Sequence, residues 1–274
     1  MTLNDVLAHR DGKFAKGHPG VHAKTLNRYQ AFAGHLLLSA VVALGSAALV
    51  FLVWYPSPLA AATGVTGIFL MLLAIDVVVG PVITLIVYDP AKKELKRDLL
   101  VVLVLQVAAL LYGMHAVLTA RPAYAVFNVD RFDLVYANDL TDAKLQAATL
   151  PQFRSPPWFG PEVIAARRPG TSQERNDILF GAVAGGDDLP QLPRYYIPYA
   201  DAQAAAAKRI KPIETLRELN RDRAGVLDAA LRRHAAHPGG IGYLPLRGKV
   251  RDLAVIVALD SAAVLEFADL KPWP

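Results

Sequence analysis

Asp76 is the one acid in the apolar part of "FLMLLAIDVVVGPVITLIVYDPAKKELKRDL" (69–99), which turns abruptly basic at its end, and Gly80-Pro81 follows four residues later. A carboxylate in such a setting can carry a proton, donate a hydrogen bond when neutral, or recognise a polar group on a neighbouring helix. Pro81 has no N–H for the carbonyl of Val77, and Gly80 lets another helix come close. Two further polar side chains, Gln106 and Tyr112, lie in the next apolar run. At 1.5 Å per residue, Asp76 lies about 18 Å from the inner end of its helix, between Gln106 at about 12 Å and Tyr112 at about 21 Å. His35 looks too low for this level and His115 rather high. Three readings stand for the set Asp76, Gly80, Pro81, Gln106 and Tyr112: a neutral aspartic acid hydrogen-bonded to Gln106 or Tyr112 beside a kink, a proton-linked relay, or a surface for a partner helix.

Other candidate chemistry is thinner. His234 and His237 are spaced for a shared metal, but no acid or cysteine clusters with them. "GAVAGGDD" (181–188) lacks the Lys-Ser/Thr of a phosphate loop, so it reads as a plain loop. Asp187-Asp188 does not follow a strand, and no Gly-x-Ser-x-Gly elbow occurs. Arg167-Arg168 and Arg232-Arg233 read as solvated faces without the aromatics of a nucleic-acid platform. With no cysteine in the chain, disulfides and thiolate catalysis are excluded. No catalytic residue, cofactor site or metal site is expected, and no nucleic-acid partner.

The elements that must position the intramembrane set follow from hydropathy. The chain has 274 residues, 54% of them hydrophobic, and a mean hydropathy of +0.30. A bilayer-spanning helix needs about 20 apolar residues. Three windows qualify: Ala31–Trp54, Thr66–Tyr88 and Leu99–Leu118. The first is too long for a signal-peptide core, so a signal anchor is expected. The net charge of +5 is concentrated beside these windows, at Arg10, Lys13, Lys16, Lys24 and Arg28, and at Lys92, Lys93, Lys96 and Arg97. The loop "YPSPLAAATG" (55–64) is uncharged. Positive charge stays inside, so the N-terminus is expected in the cytoplasm and everything beyond Arg121 outside. Trp54 and Tyr55 mark the outer interface.

Residues 1–28 then form a basic cytoplasmic tail, 29–120 a three-helix transmembrane region, and 121–274 a small extracytoplasmic α+β domain with an antiparallel sheet. In that domain Ala123–Leu140 reads as one strand with a bend and Val163–Ala166 as a short strand. The run from Thr171 reads as a helix ending at glycines, "LPRYYIPY" (192–199) as extended, and Ala200–Arg209 and Pro212–His234 as helices. Leu253–Leu259 and Val264–Asp269 read as strands.

These segments resemble a known family. "IDVVVGPVITLIVYDPAKKELKRDL", "LQVAALLYGMHAV", "RPAYAVFNVDRFDLVYANDL" and "LPLRGKVRDLAVIVALDSAAVLEFADLKPW" together look like the TfpX/TfpZ type IV pilin accessory proteins of bacteria, from about Arg28 to the C-terminus. The resemblance implies a non-enzymatic, multi-pass protein of the bacterial inner membrane with a periplasmic domain. The role that the resemblance implies is support of pilin stability and pilus assembly, with the type IV (major) pilin, the assembly machinery and membrane lipid as expected partners. A membrane-tethered periplasmic sensor and a pilin-modifying enzyme are the alternatives.

Overall fold

A computed structural model describes residues 27–274; the basic tail expected over 1–28 therefore lies almost wholly outside the described residues. Among the described residues three helices are long and apolar enough to cross a membrane: Arg28–Trp54, Val65–Val87 and Leu95–Thr119. The first comprises α1 (Arg28–Ala48) and a π-helical end, Leu49–Trp54. Asn27 caps α1 through a reciprocal box with Gln30. This satisfies two backbone donors that the first turn leaves free. A short helix α2 (Leu59–Thr63) leads through Gly64, in the left-handed region at φ 73°, into α3 (Val65–Val87). The third span, α4 (Leu95–Thr119), begins four residues earlier than hydropathy indicated and carries Lys96, Arg97 and Asp98 in its opening turns. α3 is the central helix and packs against both α1 and α4.

β1 (Pro122–Asn128) follows α4 without a linker and turns back into β2 (Arg131–Tyr136). The single bent strand expected over Ala123–Leu140 is thus a hairpin, with Asn128 paired to Arg131. The turn contains no glycine, so nothing in the periodicity marked it. After α5 (Asp142–Gln146) come β3 (Glu162–Ala166), α6 (Ser172–Val183), β4 (Tyr196–Pro198) and α7 (Gln203–Ala207). The helix expected over Pro212–His234 is broken into α8 (Ile213–Leu219) and α9 (Ala224–Arg233). The break is at Asn220, which is fully buried. Its amide donates to the carbonyls of Leu216 (2.8 Å) and Lys271 (2.9 Å), and its oxygen accepts from Lys271 N–H (2.7 Å). β5 (Ile241–Arg247), β6 (Leu253–Ala258) and β7 (Val264–Ala268) finish the chain.

The strands form one seven-stranded sheet in the order β4-β3-β1-β2-β5-β6-β7. It is mixed, which corrects the expected antiparallel sheet: β1 pairs with β3 in parallel, and β2 with β5 in parallel. β1 and β6 are buried along their whole length. Both faces of the sheet are covered, and a strand covered on both faces loses the alternation that betrays a one-sided sheet. Leu59 and Ala62 of α2 belong to the core of the sheet, against Leu246, Leu253 and Val255. The loop between the first two spans is thus part of the sheet domain's interior. Two hydrogen bonds clamp the two regions, Val250 N–H to Ala62 O (3.0 Å) and Gly160 N–H to Val53 O (3.0 Å), while the Tyr55 hydroxyl ties the loop to α4 through Val117 O (2.7 Å).

Candidate functional site

The polar residues of the helical bundle meet around α3. Gln106 donates through Nε2 to the backbone carbonyl of Asp76 (2.7 Å) and to Ser39 Oγ (3.2 Å). Its Oε1 lies 2.8 Å from His35 Nε2, and His35 Nδ1 lies 2.6 Å from Thr84 Oγ. An amide oxygen can only accept, so His35 carries its proton on Nε2; in the neutral ring the Thr84 hydroxyl then donates to Nδ1. The carboxamide of Gln106 is fully used. It fills the space beside Gly80, where a methyl group would collide with it. Gly80 is therefore the notch that lets α4 reach α3. Pro81 lies inside α3 and removes the N–H that would serve Val77.

Asp76 is placed differently from its neighbours. Its side chain is 92% buried, since 8% is exposed, yet Oδ2 has no hydrogen-bond partner. Gln106 holds the backbone of Asp76 and leaves the carboxyl alone. That carboxyl sits on the floor of a small cavity of about 80 Å³, walled by Leu38 and Val42 of α1 and by Leu103 and Val107 of α4. These walls are themselves 41–57% exposed, so the cleft opens sideways between α1 and α4. Apart from its polar floor it is hydrocarbon.

Of the sequence-based set, Asp76, Gly80, Pro81 and Gln106 are together. Tyr112 is not among them; it is 78% exposed and borders a separate groove between α3 and α4. Six residues separate it from Gln106, about 120° around the helix. His35, expected too low, is a central member. Depth arithmetic used α-carbons, but helical side chains lean toward the N-terminus of their helix. α1 and α4 run one way and α3 the other, so His35 and Gln106 lean toward the Arg28 and Leu95 end of the bundle while Thr84 leans away from it, and the three meet at one level.

The sheet domain carries a second feature. Helix α6 buries none of its residues, and Leu179, Phe180 and Val183 are 57%, 68% and 78% exposed. Beside it is the tip of the β1–β2 hairpin, where Val129 adopts φ 61°. A β-branched residue rarely enters the left-handed region. Between tip and helix lies a groove of about 350 Å³ bordered by Asn128, Val129, Arg168, Arg175 and Leu179. Asn128 Oδ1 is buried there without a partner.

Most of the remaining candidates have structural partners; among the described residues the His237 side chain does not, and its Nδ1 is buried without a hydrogen bond. His234 Nε2 lies 2.9 Å from Glu266 Oε2, and Arg233 also pairs with that carboxylate and holds its carboxyl below the usual range. Asp187 pairs with Lys144 at 2.6 Å, and Asp188 caps Leu189 at 2.7 Å. Asp133, buried on β2, has its carboxyl pushed up by burial, against the opposing pull of Arg131. Among the described residues no group of three or more His, Cys, Asp or Glu could hold a metal.

The family profile of the fimbrial assembly protein FimB matches residues 24–64, which include α1 and α2. The chain is 33% identical over 229 residues to "Fimbrial assembly protein, serogroup E1" of Dichelobacter nodosus, covering 82% of this chain and 88% of that protein. The serogroup I protein of the same organism is 32% identical over the same coverage. A third relative, from serogroups C1 and C2, is 37% identical over 108 residues, 39% of this chain and 82% of that protein. No solved structure matches significantly.

Proposed function

The chain belongs to the family of fimbrial assembly proteins, and from that premise we propose that it is a non-enzymatic inner-membrane accessory of the TfpX/TfpZ kind that holds a type IV pilin before the pilin enters the filament. Its relatives are named for fimbrial assembly. The type IV assignment rests on the sequence resemblance. The topology is the one that the lysines dictate: residues 1–28 in the cytoplasm, 29–120 in the membrane with Lys92–Arg97 at the inner face, and 121–274 in the periplasm.

The observation that carries the contact is the unpartnered Asp76 carboxyl. A carboxyl that served packing would be expected to bond within the bundle, since a buried polar group without a partner costs about 1–3 kcal/mol. Asp76 instead faces a cleft that opens to the side. A pilin helix in the same bilayer can supply a hydrogen-bond donor there. The α6 face and the hairpin tip at Val129 offer the matching contact for a pilin head outside the membrane.

The test places photoreactive residues at Leu38 in the cleft and at Leu179 on α6, in cells that make the cognate pilin. Both should capture pilin, and deleting the protein should lower surface pili without stopping pilin synthesis. Asp76→Leu should accumulate at normal levels, because no hydrogen bond is lost, and should lose the Leu38 capture. No capture at either position, with unchanged pilus number in the deletion strain, ends the accessory reading. Alkaline phosphatase fused after Pro274 should be active and after Lys93 inactive; the reverse pattern overturns the topology.

A further inference from the structure

The groove bordered by Tyr112 is a different kind of site from the Asp76 cleft. It runs between α3 and α4 with a volume of about 440 Å³. Val65, Ile68, Met71 and Ile75 form one wall and Tyr112 and Ala116 the other. At its floor Leu72 meets Gly113 so closely that a methyl group on the glycine would collide. No charged side chain lies along its length until its outer end, where Tyr136 and Lys249 of the sheet domain close it.

We propose that this groove binds one anionic phospholipid from the leaflet on the sheet-domain side, with an acyl chain along α3 and α4 and the headgroup phosphate at Lys249. The inference takes the three helices as membrane spans and does not depend on the pilin reading. Three observations select this occupant. The first is length. Val65 and Ile75 are ten residues apart, about 15 Å, which is half of a hydrocarbon core of about 30 Å. The groove therefore runs the depth of one leaflet.

The second is volume. A helix with its side chains is about 10–12 Å across, so a 15 Å length fills on the order of 1,000 Å³. The space within the groove is about 440 Å³, so a helix could lay only one face on it, whereas a chain of methylenes fits inside.

The third is charge. The ammonium of Lys249 lies 4.4 Å from the centre of the Tyr136 ring, and the Tyr136 oxygen accepts from Lys249 N–H at 3.2 Å. Lys249 is thus fixed over the mouth of the groove. Among the described residues its only acidic neighbour is Asp139, at 3.9 Å, beyond direct hydrogen bonding. The ammonium keeps its donors for a phosphate oxygen. The height is right as well: Trp158 and Phe159, 64% and 78% exposed, precede Gly160, whose N–H bonds Val53 O at the outer end of the first span. Aromatic residues collect at the headgroup level of a bilayer.

The test uses the full-length protein in phosphatidylcholine vesicles containing a trace of phosphatidylglycerol with a diazirine in its acyl chain. After photolysis the adducts should concentrate on Met71, Ile75 and Tyr112. Lys249→Gln should lower their yield about fivefold, the effect of one cation at an anionic headgroup, and should leave labelling by a phosphatidylcholine probe unchanged. Ala116→Trp should fill the groove and remove these adducts while sparing those on Leu37 and Leu44 of α1. If that variant does not fold, Lys249→Gln still decides. Equal labelling by the two lipids, adducts spread evenly over α1, or no response to Lys249→Gln overturns the proposal. So does capture of a protein helix rather than lipid by a photoreactive residue at position 112 in cells.

Discussion

The sheet domain and the helical bundle both bond most of their buried polar groups and both leave some open, Asn128, Asp133 and His237 in the sheet domain and Asp76 in the bundle; they differ in the surface that surrounds them. In the sheet domain Asn220 is buried with three hydrogen bonds, and Tyr196 and Tyr199 donate to Pro190 O and Ala262 O at 2.6 and 2.8 Å. In the bundle the His35–Gln106–Ser39–Thr84 network is closed, but the one carboxyl beside it is left unbonded. Large apolar side chains such as Leu37, Leu44 and Ile86 are 68–77% exposed on the bundle, as a lipid-facing surface requires. The sheet domain, with Leu59 and Ala62 of α2 in its core, is nearly closed, and α6 and the hairpin tip are among its open places. The bundle is complete only in a bilayer, and its two lateral openings differ in chemistry: a polar floor at Asp76, and hydrocarbon ending in a cation at Lys249.

The largest effect tests whether the closed network holds the bundle together. Gly80→Leu should drive the new side chain into the carboxamide of Gln106 and part α3 from α4. Overpacking of this kind costs about 3 kcal/mol. Thermal unfolding in detergent should show a large loss. A variant as stable as the parent would mean that α4 is held by its loops and by the sheet domain alone.

Asn220→Ala tests the opposite region. It leaves the N–H and C=O of Lys271 and the carbonyl of Leu216 without their partner. The expected loss is about 2 kcal/mol. Because Asn220 ties the C-terminal tail to the break between α8 and α9, proteolysis should begin in that tail. Parent-like stability and protection would show that the tail is fixed without Asn220.

The contrast explains what the sequence could reveal. The spans were legible because twenty consecutive apolar residues have few other uses. Asp76 and Gly80-Pro81 stood out as departures from that pattern, and Gln106 was found by depth. His35 was missed because its level is that of its partners Gln106 and Thr84, not that of the Asp76 carboxyl against which depth was judged. In the sheet domain the strong strand at Leu253 was readable from its β-branched run. The parallel pairings of β1 with β3 and β2 with β5 were not, since they join segments with no local mark of their partner. Nor was Asn220 recognisable as a helix break, because its role depends on Lys271, 51 residues away in sequence.

The smallest effect concerns two residues that share one strain. Val129 and Ala262 both sit in the left-handed region, at φ 61° and 56°. For an ordinary residue that conformation costs about 1–2 kcal/mol. Ala262 is fully buried in the main core. A buried methyl returns about 0.8 kcal/mol, so packing offsets its strain. Val129 is 48% exposed, and its isopropyl group gains little from the chain itself. Val129→Gly should therefore raise stability, by about 0.5 kcal/mol once the added freedom of glycine in the unfolded chain is counted. Ala262→Gly should give no gain. If the valine is kept because a pilin head packs on the hairpin tip, Val129→Gly should also weaken pilin capture at Leu179, so that the more stable protein is the poorer partner. A stability gain with undiminished capture would leave the hairpin tip outside the contact surface and confine the periplasmic contact to α6.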